Sequence, residues 1–598
     1  MKESRKLFKE ALNNCKLNEV RESSISIQEK YLDKDMKSFW KGVQQKNNKI
    51  KYSEVIDGKN NSMDVINIFN QKFLITESVG NLEMEMNVIE CLRNSWVTER
   101  KFHPSVSPDR IKLLVKQLNM GEGHDGIHTI VLREMSEDLS LLVSFFMNAS
   151  YNHCFIPEEL LTGDINPTIK DPKGNATESA NYRPVMQSSC LLKLFEIHLL
   201  EILSEKLVFN SRQFGFRKNT STTDACLILK ETIYNYIASK KERVYGLFVD
   251  LSKAFDNVDH FQLGQILLQR KIPPDIVLFI LHYLRNQEAR IVWNGEMGEY
   301  IPVEKGVRQG GILSPLLFKL YIDDVLNEIS AGGDGCKFGV LQMNILAYAD
   351  DLVLLARSKS QLGRLYKILE KGMNERKLLI NKNKSKWKAF DRWSCNIMED
   401  NIEICDTMFE VVKKYKYLGH IIQNNLLDLE DVEYRLNAFY GKFNWLFRNF
   451  KNVSIDVFYF LFKSFCVPDY GLPLWNLGEI VKRQIFKTFE VAFSKSLKRM
   501  LGVPLSTSSH AVADIFNQLL FIHYVTVVQT RYFKRVFCSI NPLIRISSFT
   551  LGNGYLYKSL FKRLNDNYDV NFSMHSLDIL KARVEWVQRH EPMTGQIL

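Results

Sequence analysis

The chain has 598 residues, 45% hydrophobic and 12% aromatic, enough to bury several cores, which argues against wholesale disorder. Its formal net charge of +11 suits a polyanionic partner, although a solvated basic surface accounts for the same excess. Ten cysteines lie scattered without C-x-x-C or Cys/His spacing, which argues against a disulfide framework or structural zinc and for a reducing, intracellular setting, nuclear or cytoplasmic. The N-terminus has no signal-peptide core and apolar runs such as LLVSFFM (141–147) are too short for a bilayer, so no membrane partner is expected.

Residues 1–50 are charged and helix-favouring, and 46–62 read as a polar connector. VINIFNQKF (65–73) places apolar residues at helical spacing. A joint at 103–109 precedes a helix, RIKLLVKQLNM, so residues 1–104 form an N-terminal helical extension. GEGHDGIHT (121–129) is rich in glycine but lacks the Lys-Ser/Thr ending of a phosphate-binding loop; it reads as a turn into a helix. Residues 156–190 read as loop, punctuated by Pro157, Pro167, Pro172 and Pro184. Helical periods return at 191–207, 222–240 and 258–271. Between the last two, RVYGLFVDLS (243–252) suits a buried strand, and Asn294-Gly295 marks a hairpin within 290–303.

Two Y-x-D-D boxes follow. The first, Tyr321-Ile322-Asp323-Asp324, comes after QGGILSPLL, where Ser314 suits a helix cap and Pro315 a first turn. Leu317, Tyr321, Val325 and Ile329 then recur every four residues as one apolar stripe. Asp323 and Asp324 fall on another face and read as solvated, with Lys319 and Asp323 an i,i+4 pair. The second box, Tyr348-Ala349-Asp350-Asp351, has apolar residues on both flanks. Burying unpaired carboxylates is costly, and two side by side repel. A cation between them, or a hairpin tip in a wet cleft, removes the conflict. Asp250 shows the same anomaly at the end of its strand. Hard divalent cations such as Mg²⁺ take oxygen ligands and keep several waters, and a pair of them serves phosphoryl transfer. Asp256, in FDNVDH, reads instead as a helix N-cap.

The stretches INPTIKDPKGNATESANYRPVMQSS, FGFRKNTSTTDA, LFVDLSKAFDNVDH, GVRQGGILSPLLF, LAYADDLVLL, LLINKNKSKWKAF and YKYLGHII occur in that order over about residues 165–425. In this the sequence resembles the reverse transcriptases of non-LTR (LINE-type, jockey-like) retrotransposons. The resemblance implies an α+β right-hand polymerase fold: fingers and palm over 105–428, the palm an antiparallel sheet backed by helices, and a helical thumb and C-terminal region over 429–598. It implies that Asp250, Asp350 and Asp351 bind catalytic Mg²⁺, or Mn²⁺. Phe255 matches the aromatic beneath the incoming sugar, whose bulk excludes a 2′-hydroxyl. Arg183, with Lys170 as companion, matches the triphosphate grip; Gln309 and Gly310 line the nucleotide pocket; Lys384 matches a general acid for pyrophosphate. Tyr348 and Ala349, with Leu418 and Gly419 of YLGH, belong to primer-contacting segments.

The implied partners are an RNA template, a DNA primer or target, and dNTPs. In FYGKFNWLFRNFKN (439–452), basic residues interleave with aromatics, which suits a thumb holding a duplex; an amphipathic helix with its aromatics turned inward fits equally. Full-length members carry an apurinic-type endonuclease upstream and some carry a Cys/His knuckle. Neither is in this sequence, so autonomous target nicking is not expected, and a fragment, degraded copy or domesticated gene are the open alternatives. Two rival readings remain: a group II intron-type reverse transcriptase/maturase, against which Arg308 and NYRPV weigh, and a nucleic-acid-binding remnant that has lost catalysis.

Overall fold

The computed structural model describes residues 18–47, 53–74, 82–98, 104–240, 242–338, 341–391, 400–467 and 470–537, with 539, 541, 543 and 544. In chain order, the strands that build the site are β1 (Thr162–Ile169), β2 (Tyr182–Ser188), β3 (Val244–Val249), β4 (Glu288–Trp293), β5 (Ile345–Tyr348), β6 (Asp351–Ala356), β7 (Lys386–Phe390), β8 (Thr407–Val411), β9 (Lys414–Tyr417) and β10 (His420–Gln423). The helices around them are α1 (Ser62–Phe73), α2 (Cys190–Lys206), α3 (Thr222–Tyr234), α4 (His260–Gln269), α5 (Ser314–Ala331), α6 (Lys359–Glu375), α7 (Leu429–Phe450) and α8 (Gln484–Leu501). Among the described residues no helix is long and apolar enough to cross a membrane.

The stretch that reads as loop at 156–190 contains two strands. β1 and β2 pair antiparallel with Pro167 opposite Pro184. Two residues without an N–H fit such a ladder at a non-hydrogen-bonded pair, so neither proline breaks a bond. On its other edge β1 pairs parallel with β4, and that pairing ends at Ile165↔Ile291, before Pro167. β4 turns back through Asn294 (φ 51°) and Gly295 (φ 86°), the left-handed pair that the Asn-Gly signal demands. Helix α1 covers this sheet: Val65, Ile66 and Phe69 pack with Ile165, Tyr182 and Trp293 in one core.

The palm sheet runs β5-β6-β3-β7-β8, with Ile402–Ile404 outermost. The expected antiparallel sheet has one exception, the parallel pair β7·β8. Both faces are covered, which is why GLFV is an unbroken apolar run. Leu247 and Val249 join Leu352, Leu354 and Trp387 in a core under α5 and α6. Phe248 turns the other way, with Leu346, Val353 and Leu355, toward α3. The helical period at 222–240 is α-helical only to Tyr234 and then widens into a π-turn over Asn235–Lys240.

Four readings need correction. The stripe Leu317, Tyr321, Val325 and Ile329 on α5 is buried, but Asp323 is buried as well, at 0% exposure. It pairs with Arg270 at 2.8 Å and accepts the Asn210 amide at 2.8 Å; Asp324 is half exposed and also meets Arg270. Lys319 does not pair with Asp323: its ammonium donates to the Phe216 carbonyl at 3.2 Å and lies over the Phe209 ring. Ser314 is the first residue inside α5 rather than its cap, which is Leu313. Asp256 is no cap either. Asp259 caps α4, accepting the Gln262 amide at 3.0 Å.

In the thumb, Phe439, Phe443 and Phe450 of α7 face inward against Phe486, Phe489 and Phe493 of α8, while Lys442, Arg448 and Lys451 are exposed. Ile27, Phe39 and Val43, from the other end of the chain, join the same core. The thumb is fastened to the palm by a buried charge network. Lys230 of α3 bonds Asp428 at 2.5 Å; His420 lies 3.3 Å from both Asp428 and Asp431; and Arg435 chelates Asp431 at 2.7 and 3.0 Å. Against burial, which raises it, His420 and then Arg435 hold the Asp431 carboxyl well below its usual range, and the Trp475 indole donates to it at 2.8 Å. Such a group stabilises above its unfolded pKa and ceases to as pH falls through the folded one. Asp431→Asn is therefore expected to lose about 3 kcal/mol or more at pH 7, and acid titration of both proteins should show the difference shrinking below about pH 4.

Candidate active site

Register places the first two acidic segments together. β3 and β6 pair antiparallel with Val249 opposite Leu352, so the next step sets Asp250 across from Asp351. Opposed strands lie about 4.7–4.9 Å apart. β5 and β6 close as a hairpin with Tyr348 paired to Asp351, leaving Ala349 and Asp350 at its tip. Ala349 takes φ 56°, a left-handed conformation unusual for a residue with a Cβ.

That strained tip has an unforeseen support. The Ala349 amide donates to the Gln213 side chain at 3.0 Å, and the Phe214 amide to the Ala347 carbonyl at 2.8 Å. A Cβ on Gly215 would sit 2.3 Å from the Ala349 nitrogen, so only glycine lets the two backbones touch there. The segment FGFRKN is a visible motif in the sequence, but nothing in it names the hairpin it braces.

None of the three carboxylates makes an ion pair among the described residues. Burial pushes each of them up; Asp250 adds to the rise at Asp350, and Asp350 and Asp250 carry Asp351 to about 6. Arg183 opposes the rise at Asp350 and Asp351, and Lys384 opposes it at Asp250. No side-chain hydrogen bond from a described residue relieves any of the three. A convergent, unpaired oxygen donor set of this kind fits a divalent cation. The described residues do not, however, close three such groups around one point. Hard cations that keep waters and take phosphate oxygens from a substrate need no closed protein cage.

The remaining candidates fall around this edge. Lys384 is exposed in the turn after Asn381, whose amide bonds the Asp250 carbonyl at 2.8 Å, and the Asp250 amide bonds Ser385 at 3.1 Å. Arg183 projects, exposed, from β2 opposite Thr168, and Lys170 follows directly after β1, its ammonium on the Ala180 carbonyl at 3.2 Å. Phe255 stacks on Phe318 (centroids 4.7 Å, 18°) and meets the exposed Phe216 edge-on, which in turn approaches Tyr348. The Gln309 carbonyl accepts the Met186 amide of β2 at 2.9 Å, and Gly310, at φ 109°, passes so close that a Cβ would lie 3.1 Å from the Met186 oxygen. Asp256, partly exposed, accepts the Gln309 side-chain amide at 2.7 Å. Leu418 (φ 44°) and Gly419 (φ 81°) form the tip of the β9–β10 hairpin, clamped by Tyr470, whose hydroxyl donates to the Leu418 carbonyl, and by Arg435. Tyr415 on the same hairpin stacks on Phe248 at 4.1 Å; burial and then Asp351 and Asp250 push its phenol up to about 12. Sequence reasoning gave Tyr415 no role.

A carboxylate-tipped sheet with helices behind it, a basic strand pair on one side and a helical bundle on the other defines the palm, fingers and thumb of a right-hand polymerase. Residues 169–422 match the family described as reverse transcriptase (RNA-dependent DNA polymerase). The chain is 30% identical over 280 residues to the Pol polyprotein of the type-1 retrotransposable element R2 of Nasonia vitripennis, covering 46% of this chain and 26% of that one. It is 25% identical over 393 residues to the probable RNA-directed DNA polymerase from transposon X-element of Drosophila melanogaster, covering 61% and 41%. With the RNA-directed DNA polymerase from mobile element jockey of the same organism it shares 22% over 422 residues, covering 67% and 44%. Residues 169–422 thus match a reverse transcriptase domain, a family that is generally divalent-metal dependent, and are similar to the polymerases of non-LTR retrotransposons. The chain spans less than half the length of each of these relatives.

A raised carboxyl destabilises the fold as pH climbs from its unfolded to its folded pKa. Asp351→Asn should therefore stabilise the metal-free protein at pH 7.5 by about 1 kcal/mol, discounted for its exposure, and the gain should vanish below about pH 4. Thermal melts with a divalent cation at a hundredfold excess over Kd should stabilise the wild type by about 2.7 kcal/mol and Asp250→Asn not at all.

Proposed function

We propose that this chain is an RNA-directed DNA polymerase that extends a primer 3′-hydroxyl with dNTPs on an RNA template. The observation that carries the reading is the strand register that sets Asp250 beside Asp351, with Asp350 at the adjoining hairpin tip and no ion pair or side-chain hydrogen bond to any of the three carboxylates among the described residues. Two Mg²⁺ ions, or Mn²⁺, held there would activate the hydroxyl and neutralise the leaving pyrophosphate. The chain's own residues do the positioning. Arg183, with Lys170, grips the triphosphate; a planar guanidinium suits bidentate phosphate binding. Lys384 supplies the proton to pyrophosphate. Phe255, fixed by its stack on Phe318, lies under the sugar and leaves no room for a 2′-hydroxyl. Gln309 and Gly310 form the pocket floor, with the Gln309 amide oriented by Asp256. Tyr348 and Ala349 at one hairpin tip, and Leu418 and Gly419 at the other, hold the primer terminus.

Primer extension on an RNA template with dNTPs and Mg²⁺ tests this. Asp250→Asn, Asp350→Asn and Asp351→Asn should each lose roughly 10²–10³-fold or more in rate. Asp323→Asn, which alters contacts to Arg270, Asn210 and Asn327 alone, should extend normally per folded molecule. Absence of extension by the wild type would favour a nucleic-acid-binding remnant. A second assay compares nucleotides: Phe255→Val should admit rNTPs roughly tenfold better or more relative to dNTPs, because a steric filter is all that is removed.

A further inference from the structure

Helix α1 lies outside the matched reverse transcriptase region, yet its C-terminal end reaches the nucleotide pocket. Phe73 and Leu74 line a cavity shared with Pro184 of β2, Asp256 and Gln309. One residue earlier stands Lys72. Its ammonium donates to the Ser179 hydroxyl at 2.9 Å, and its carbonyl accepts from Lys253 at 2.8 Å. Lys253 follows Asp250 by three positions, and Ser179 precedes Ala180, whose carbonyl holds Lys170. Lys72, Lys170 and Lys253 are therefore linked, through hydrogen bonds and the Ser179–Ala180 peptide, into one patch beside Asp256.

Charge makes the patch unusual. Lys170 is depressed by burial and then by three neighbouring cations, Lys72 first, followed by Lys384 and Arg183, with only Asp256 opposing. Lys72 is depressed by burial and by Lys253, against Asp57 and Glu178. Of these acids, Asp57 is already engaged by the Ser179 amide at 3.0 Å. Packing like charges costs free energy that an anion in their midst would recover. An ammonium has three N–H donors, and Ser179 uses one.

We propose that Lys72 is a further triphosphate-binding residue, so that the N-terminal helix α1 completes the nucleotide site of the polymerase. The ligand class is the β,γ-phosphate end of an incoming nucleoside triphosphate. This rests on the function proposed above and extends it to a residue outside the reverse transcriptase domain. It also gives a reason for α1 to pack on the fingers sheet rather than stand apart.

The test uses the full chain with Lys72→Gln and the conservative Lys72→Arg. Single-nucleotide insertion on a primed RNA template gives KM for dNTP. Ternary-complex formation on a dideoxy-terminated primer gives nucleotide affinity without chemistry. Lys72→Gln should raise KM and weaken nucleotide affinity, each by roughly tenfold, the size of one charge-assisted contact, weaken pyrophosphate inhibition in parallel, and leave primer–template affinity unchanged. Lys72→Arg should recover most of the loss. Unchanged dNTP affinity and KM in a Lys72→Gln protein that melts like the wild type overturn the proposal and leave Lys72 a strut for Ser179. A loss confined to primer–template affinity overturns it as well. If the wild type itself forms no ternary complex, the polymerase reading fails first, and the two failures are told apart.

Discussion

The burial of three neighbouring carboxylates is the constraint around which this molecule is organised. A chain left to itself avoids holding Asp250, Asp350 and Asp351 together, because each raises the free energy of the others. Here backbone geometry overrides that preference. The β3–β6 register fixes Asp250 against Asp351, and a tight hairpin fixes Asp350. The sheet beneath is buried on both faces, so its register cannot slip without turning Phe248 and Leu247 into the wrong cores. The unfavourable charge is thus borne by hydrophobic packing elsewhere.

The supports of that arrangement lie in places with no chemistry of their own. Gln213 and Gly215 carry the hairpin tip through direct backbone contact. Asp256 orients Gln309, and Tyr470 with Arg435 pins the second hairpin to the thumb. Arg435 belongs in turn to the buried network of Lys230, Asp428, His420 and Asp431. A buried network of this size demands full satisfaction of its members. Through the Arg435 contact to the Gly419 carbonyl it ties α7 to the tip of the β9–β10 hairpin. The N-terminal segments reinforce both ends, one in the thumb core and one on the fingers sheet.

Much of this was legible in the sequence where a local pattern conflicts with its surroundings. Acidic residues interrupting apolar runs marked Asp250, Asp350 and Asp351, and Asn294-Gly295 marked its hairpin, because both signals depend only on neighbours along the chain. What stayed hidden depends on distant partners. Asp323 has the spacing of a solvated helix face, yet Arg270, fifty-three positions away, buries it. Pro167 and Pro184 each argue against a strand, and only their mutual opposition makes a ladder possible. Asp256 resembles a cap until Gln309 is brought beside it. Tyr415 and Lys72 carry no signal at all in one sequence: each is an ordinary residue of its element, distinguished solely by what the fold sets next to it.

The central claim is that a divalent cation binds at the meeting point of the 250 and 350 segments, and cleavage of the chain by bound Fe²⁺ with ascorbate and peroxide reads that position directly. The account predicts backbone cuts clustered at the end of β3 and at the β5–β6 tip, suppressed by excess Mg²⁺. Cuts at Asp323 and Asp324 instead, or none near residue 250, would contradict it.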